Sequence, residues 1–362
     1  MNQNLQKTPA PQRDDRLTFN RRAFLRLAGT GLLAQGVFSL TGSLAWADSS
    51  PHSKPLRGIF PIAQTPFTAN DKLDLDALAA EVRFLDRCGA QGLVWPQMGS
   101  EWLSLTEQER LAGMETIASA GKNLRPAIVF GVQDPDTATA VKFAKRAEKL
   151  GADAVIALPP SEQSDWETVL AYYTAIGNAT ELPLFIQAVG NVGVDWVIRL
   201  YEAVPTLRYV KFEAADVLKS IGPLRERSAD KLKVFSGEHG RRIIQELPLG
   251  VSGNMPAAGL ADLYATTWNL WQEGKHDEAA AIHNKTVDAI NRIVRYGLPG
   301  VKYVLEARGI FPNSAARPFR DANFRAVARI AAGGADHFSP LDEAGKKDIA
   351  ETVESLRPLL KN

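Results

Sequence analysis

A single cysteine, Cys88, stands in 362 residues, so no internal disulfide can form whatever compartment the protein occupies. It follows Phe84 and Leu85 on one helical face and reads as core. Charge is nearly balanced, with 42 Lys and Arg against 41 Asp and Glu. No basic run is interleaved with aromatics, which removes electrostatic support for a nucleic acid or other polyanion as partner. The five histidines, His52, His239, His276, His283 and His337, lack metal-ligand spacing, so no metal is expected. No glycine-rich phosphate fingerprint follows the first strand-like run, which weakens a dinucleotide-binding reading; no cofactor is expected. What is present is 45% hydrophobic and 23% charged residues, ample for a large core and suited to a small-molecule ligand.

The N-terminal stretch reads as separate from the fold. Asn20-Arg21-Arg22-Ala23-Phe24-Leu25-Arg26 puts paired arginines ahead of a moderately apolar segment, Leu27 to Leu44, and Ala45-Trp46-Ala47 offers a small-residue cleavage site. Residues 1–47 are therefore expected to be a twin-arginine export signal cleaved after Ala47, giving a periplasmic or secreted product. Gly29, Gly31, Gly36 and Gly42 dilute the apolar segment, so it makes a poor membrane anchor beside a continuous run of about 20 apolar residues. Removing its six basic and two acidic residues from 42 and 41 leaves 36 and 39, a formal charge of −3.

Residues 48–56 read as a flexible lead. From Arg57 onward, short β-type runs recur at the spacing of βα units: Gly58 to Thr65, Gly92 to Pro96, Ala127 to Phe130, Ala154 to Leu158, Leu184 to Gln187, Tyr209 to Phe212, Lys233 to Phe235 and Val251 to Ser252. Between them lie helical apolar spacings, such as Leu75, Leu78, Val82 and Leu85, with Asp74 and Thr106 as N-caps and Gly89 and Gly151 as stops. Apolar strands without clean alternation, each followed by a helix, are what a parallel sheet covered on its outer face requires. Eight such units predict an α/β fold, a (β/α)8 TIM barrel over residues 57–273. Beyond Gly274 the strand signals stop. Asp277 to Arg295, Gly300 to Arg308, Asp321 to Ala332 and Ser339 to Leu359 read as helices, so residues 274–362 form a helical C-terminal extension.

Barrel enzymes place chemistry at the C-terminal ends of strands. There Gly99 and Ser100 follow strand two, where a glycine admits a ligand to the backbone and a hydroxyl is on offer. Ser161 follows strand four, Ser236 strand seven, and Ser252 and Gly253 strand eight. Each is an ordinary turn residue taken singly, and together they are the candidate substrate-binding set.

Lys211 is the most informative residue. Two-residue alternation places Tyr209, Lys211 and Glu213 on one side of strand six, with Val210 and Phe212 on the other. If the latter pair faces the helices, the lysine and the carboxylate face the barrel mouth together. In a low-dielectric mouth burial favours a neutral amine, the form that attacks a carbonyl to give a Schiff base. Glu213 could hold the amine as a cation at rest or relay protons during the reaction. A rim ion pair around a solvated lysine is the alternative that spacing leaves open.

The ordered set of motifs resembles the dihydrodipicolinate synthase and N-acetylneuraminate lyase superfamily. It is carried by Gly58-Ile59-Phe60 through Thr65-Pro66-Phe67, Gly99-Ser100-Glu101 with Leu105 to Arg110, Gly151 to Ala154 through Pro159-Pro160, Tyr209-Val210-Lys211, and Phe235-Ser236-Gly237. The resemblance runs from Gly58 to about Arg317 and implies that Lys211 forms an imine with the keto group of a 2-oxo acid. It also implies that backbone amides after strand two hold the substrate carboxylate, and that the chain is a homo-oligomer, as family barrels are often tetramers. Three departures stand out. Met98 replaces a threonine of the family's proton relay, Ser161 falls where a tyrosine usually follows the proline pair, and Gln187 falls where a tyrosine usually ends strand five.

Gln187 can donate a hydrogen bond but cannot act as a general acid, which leaves Glu213, or water held by Ser161 and Gln187, to move protons. No arginine follows strand five where synthases bind their aldehyde's carboxylate, and export also argues against lysine biosynthesis. A Lys-x-Glu strand six with glutamine on strand five is similar to the branch containing sugar-acid dehydratases and aldolases. The leading expectation is an exported class I lyase acting on a 2-oxo acid by aldol cleavage or dehydration, with a 2-keto-3-deoxy sugar acid as candidate. The competing expectation is a non-catalytic 2-oxo-acid-binding protein that has lost the tyrosine relay.

Overall fold

The computed structural model describes residues 54–161, 164–190, 192–214, 216–318 and 338–361. Residues 1–47, read as an export signal, and the helix expected over Asp321 to Ala332 lie outside them. Eight parallel strands run β1 (Gly58–Ile59), β2 (Gly92–Trp95), β3 (Ala127–Gly131), β4 (Ala154–Ala157), β5 (Leu184–Ala188), β6 (Leu207–Phe212), β7 (Lys233–Ser236) and β8 (Gly253–Asn254). Hydrogen bonding follows chain order from β2 to β8, and β1 pairs with β8. Single bridges from Ile62 to Val94 and to Ala257 bring the remaining edges together, so the sheet is a nearly closed barrel.

Two strand expectations need correction. The run Gly58 to Thr65 carries a regular ladder only at its first two residues, because Pro61 has no N–H to donate; Ile62 then re-forms bridges on both sides. The eighth strand is Gly253–Asn254, not Val251 to Ser252. Side-chain preference pointed to Val251, whereas packing selects Gly253. A Cβ there would lie 2.2 Å from the Gly58 carbonyl oxygen and 2.3 Å from the Phe235 ring.

Helices α1 (Leu75–Cys88), α2 (Glu107–Gly121), α3 (Thr137–Lys149), α4 (Trp166–Gly177), α5 (Val194–Ala203), α6 (Val217–Arg227), α7 (Ile243–Glu246) and α8 (Ala261–Gln272) surround the strands. Local chemistry sets their ends. Asp74 accepts from the Ala77 N–H at the start of α1, and Gly89 closes it at φ 84°, a left-handed conformation that favours glycine. Thr106 and Glu109 form a reciprocal capping box on α2.

Alternation along the strands separates two cores. Inside the barrel lie Phe60, Ile62, Val94, Val129, Ile156, Phe185, Tyr209, Phe235 and Met255. Residues of opposite parity, including Leu93, Trp95, Phe130, Val155, Ile186, Val210 and Phe212, pack outward against the helices. The C-terminal helices α9 (His276–Ile293), α10 (Gly297–Ala307) and α11 (Glu343–Leu356) share a further core with β1 and α8, built from Ile59, Leu263, Trp268, Ile290, Val304 and Val353.

Candidate active site

An aromatic layer floors the barrel mouth. Phe185 and Tyr209 stack with ring centroids 4.2 Å apart, and Phe235 meets Phe60 and Phe185 edge-on at 5.2 and 5.3 Å. Lys211 and Gln187 continue the inward parity of Tyr209 and Phe185 and stand at paired positions in the β5–β6 register. Above the aromatic rings, polar side chains begin.

The lysine ammonium donates to Glu213 Oε2 at 2.9 Å, and their side chains are 6% and 18% exposed. This is a sheltered pair, not a solvated rim contact. Gln187 Nε2 donates to the same Oε2 at 2.5 Å, and the Glu238 backbone N–H donates to Oε1 at 3.0 Å. Burial alone would raise the Glu213 carboxyl. The Lys211 charge and hydrogen bond, with the donors from Glu238 and Gln187, outweigh it and hold the group below its ordinary range. Gly237 makes the arrangement sterically possible: a Cβ there would lie 1.8 Å from Glu213 Oε1.

Chemically, this is an amine beside a carboxylate that carries three donated hydrogen bonds. Glu213 can receive the proton that Lys211 must lose before its nitrogen attacks a carbonyl. Gln187 is committed to that carboxylate through its NH2 group, which leaves its buried Oε1 without a protein partner.

The other sequence candidates divide. Gly99 is half-buried, 3.8 Å from Gln64 Nε2 by its would-be Cβ, and so lies beside the inward-facing end of the β1 segment. Ser100 turns away: its Oγ donates to the Ala63 carbonyl at 2.5 Å and accepts from the Gln97 N–H at 3.1 Å, which ties the loop to β1. Ser161 is half-buried after β4, with its hydroxyl 2.9 Å from that of Ser164. Ser236 points out of the barrel, since its neighbour Phe235 occupies the inward parity, and donates to the Glu246 carboxylate on α7. Ser252 precedes β8 and exchanges backbone bonds with Gly58 and Val234, at the opposite end of the strand from the mouth. Gly253 makes room for the Phe235 ring. Trp102, in the loop after β2, is 4% exposed and packs with Leu158, Met98, Leu103 and Val189.

Sequence reasoning missed Gln64, Glu246, Asn254 and Lys302. Gln64 is 1% exposed at an inward position after β1; its Nε2 donates to Ile62 O at 3.0 Å and its Oε1 has no protein partner. Inward parity counted from Phe60 would have found it.

Residues 55–326 match the model of the dihydrodipicolinate synthetase family. The chain is 25% identical over 290 residues to an L-2-keto-3-deoxyarabonate dehydratase of Azospirillum brasilense, covering 75% of this chain and 94% of the relative. It is 27% identical over 296 residues to 4-hydroxy-tetrahydrodipicolinate synthase 1 of Streptomyces coelicolor, covering 79% and 94%. Among solved structures, a prophage protein of the dihydrodipicolinic acid synthase family from E. coli K12, in complex with pyruvate, superposes with TM-score 0.72 at 18% identity, covering 84% of this chain and 99% of the other. The N-acetylneuraminate lyase of Mycoplasma synoviae gives 0.70 at 19%, with 84% and 98% covered, so the barrel and its C-terminal helices share that fold. By a family match that spans most of its length, this chain belongs to the dihydrodipicolinate synthetase family of class I, Schiff-base lyases.

Proposed function

We propose that Lys211 condenses with the keto carbon of a 2-keto-3-deoxy sugar acid and that Glu213 moves the protons of its dehydration. The observation that carries this reading is the sheltered Lys211–Glu213 pair, with Gln187 on the carboxylate. Glu213 takes a proton from the ammonium; the freed nitrogen adds to the carbonyl, and water leaves to give an iminium. The iminium draws electrons from the adjacent carbon. Loss of a proton from C3 gives an enamine, which expels the C4 hydroxyl as water once that oxygen has been protonated.

Support for a hydroxylated substrate comes from two buried, unpartnered carbonyl oxygens at inward positions, Gln64 Oε1 and Gln187 Oε1. In each, the amide nitrogen is fixed by an acceptor, Ile62 O or Glu213, so the oxygen is left for a donor. Substrate hydroxyls are such donors. The dehydratase among the relatives supports dehydration over cleavage, and the absence of an arginine directly after β5, where Val189 and Gly190 stand, counts against synthase activity. Export by the N-terminal twin-arginine segment and assembly into a homo-oligomer complete the proposal.

The test is reduction with borohydride in the presence of pyruvate and a panel of 2-keto-3-deoxy sugar acids. A mass increment on Lys211 with every ligand that turns over is expected. Ligand-induced thermal stabilisation without any adduct or turnover would replace the proposal with a binding function.

A further inference from the structure

Behind Glu213, on the outward face of the barrel, lies a second polar group that the chemistry above does not use. Ser236 and Asn254 are register partners on β7 and β8, both buried, and both point toward α7. Asn254 Nδ2 donates to Ser236 Oγ at 2.7 Å and to the Gly237 carbonyl at 3.2 Å. Having accepted from Asn254, the Ser236 hydroxyl gives its own hydrogen to Glu246, which is 2% exposed.

The Gly237 carbonyl and the Glu238 N–H belong to one planar peptide unit. Its oxygen accepts from Asn254 and from the Gly240 N–H, and its N–H donates to Glu213 Oε1 at 3.0 Å. Fixing one end of a planar unit restricts the direction of the other. The chain supplies one further hold, the Gly240 N–H on the same oxygen at 2.9 Å, across a turn in which Glu238 and His239 both sit in left-handed backbone conformations, φ 48° and 57°, which non-glycine residues rarely adopt. Asn254 Oδ1 is buried without a protein partner, the consequence of aiming the amide nitrogen at two acceptors.

We propose that Asn254, itself oriented by Ser236 and Glu246, is a positioning residue for Glu213, acting through the Gly237–Glu238 peptide. This rests on the reading of Glu213 as the group that moves protons beside Lys211. Without Asn254 only the Gly240 N–H holds the Gly237 carbonyl, the Glu238 N–H is aimed less firmly at Glu213, that hydrogen bond weakens, and the carboxylate becomes easier to protonate. Glu246 anchors the string. Burial, opposed by hydrogen bonding from Ser236 and Asn254 and by the Arg242 charge and aided by the nearby Glu238 charge, pushes its carboxyl up to about 7.

The experiment follows Glu213 directly in the resting protein, by carbon-13 NMR of glutamate-labelled wild type, Asn254→Leu and Ser236→Ala, with Glu213→Gln to assign the signal. The Glu213 midpoint is expected to rise by about half a unit or more in Asn254→Leu and by less in Ser236→Ala. The rate of borohydride-trapped imine formation with pyruvate should fall about tenfold in Asn254→Leu, with half-saturating pyruvate changed less than about twofold. An unmoved Glu213 midpoint in either folded variant overturns the inference. Should Asn254→Leu fail to fold, the midpoint in Ser236→Ala decides the matter alone. Failure of wild type to trap pyruvate or any sugar-acid analogue defeats the lyase reading instead, and the Glu213 titration still tests the positioning.

Discussion

Two lysines in this protein are buried beside a glutamate at the same distance, 2.9 Å: Lys211 with Glu213 and Lys302 with Glu101. Their surroundings make them opposites. Lys302 is fully buried, against the Phe67 ring at 4.5 Å and the Ala315 carbonyl, with Glu81 nearby. There burial outweighs the pairing, so the Glu101 carboxyl is raised and the Lys302 amine is lowered. At Glu213 the balance reverses. Burial is again the largest single influence, but the lysine and two amide donors together exceed it, and the carboxyl is lowered.

The comparison separates a strut from the pair proposed to react. Glu101 sits at φ 58° in the loop after β2, pinned by Lys302 on one oxygen and the Arg317 N–H on the other at 2.6 Å. Arg317 itself reaches Glu109 and Asp71 and lies over Phe67. That network ties the segment after α10 to the loop bearing Gly99 and leaves Lys302 no route to a ligand. Lys211 instead stands above an aromatic floor beside a partly exposed carboxylate.

The sharpest way to break the contrast is Lys211→Ala. It should abolish the borohydride-trapped pyruvate adduct entirely, and in wild type peptide mapping should find that adduct on Lys211 with Lys302 unmodified; an adduct on Lys302 would dissolve the distinction. Next comes Glu213→Gln, which keeps size and hydrogen bonding but removes the proton acceptor. A loss of about 10²–10⁴ in turnover is expected, with a smaller change in half-saturating substrate, measured by steady-state kinetics.

The strut should answer to stability instead. Lys302→Met leaves Glu101 buried without its cation and is expected to lose about 3–5 kcal/mol in denaturant unfolding, most of it recovered in Lys302→Met combined with Glu101→Gln. The smallest effect concerns Glu246, whose folded value of about 7 lies above its ordinary 4.5. A carboxyl raised on folding leaves stability at its fullest below pH 4.5 and takes it away as pH climbs through 7. The loss is roughly 3 kcal/mol across that window, and Glu246→Gln should flatten it in unfolding curves taken from pH 4 to 8.

Much of the fold was legible because its signals are local. Asp74, Thr106 and Gly89 marked helix ends through hydrogen bonds that span three or four residues. Strand recurrence gave the number and order of the barrel strands, and misplaced bounds where packing overrode side-chain preference, at Gly253, and where Pro61 interrupted a ladder. The site was legible in part. Lys211, Glu213 and Gln187 came from alternation and motif order, and the structure joins them. Ser236 did not behave as expected, since a serine at a strand end looks the same in sequence whether it faces the mouth or a helix.

The sequence by itself determined the order of strands and helices and the common side of Lys211 and Glu213, because a period of two is a property of the strand alone. Tertiary structure decided the surroundings of each buried lysine, which amides reach Glu213, and that Asn254 grips the peptide behind it. Those depend on barrel closure and on register between β5, β6, β7 and β8, where residues 18 to 26 positions apart are brought within one hydrogen bond. No local pattern encodes such distances; they arise only when the whole chain has packed.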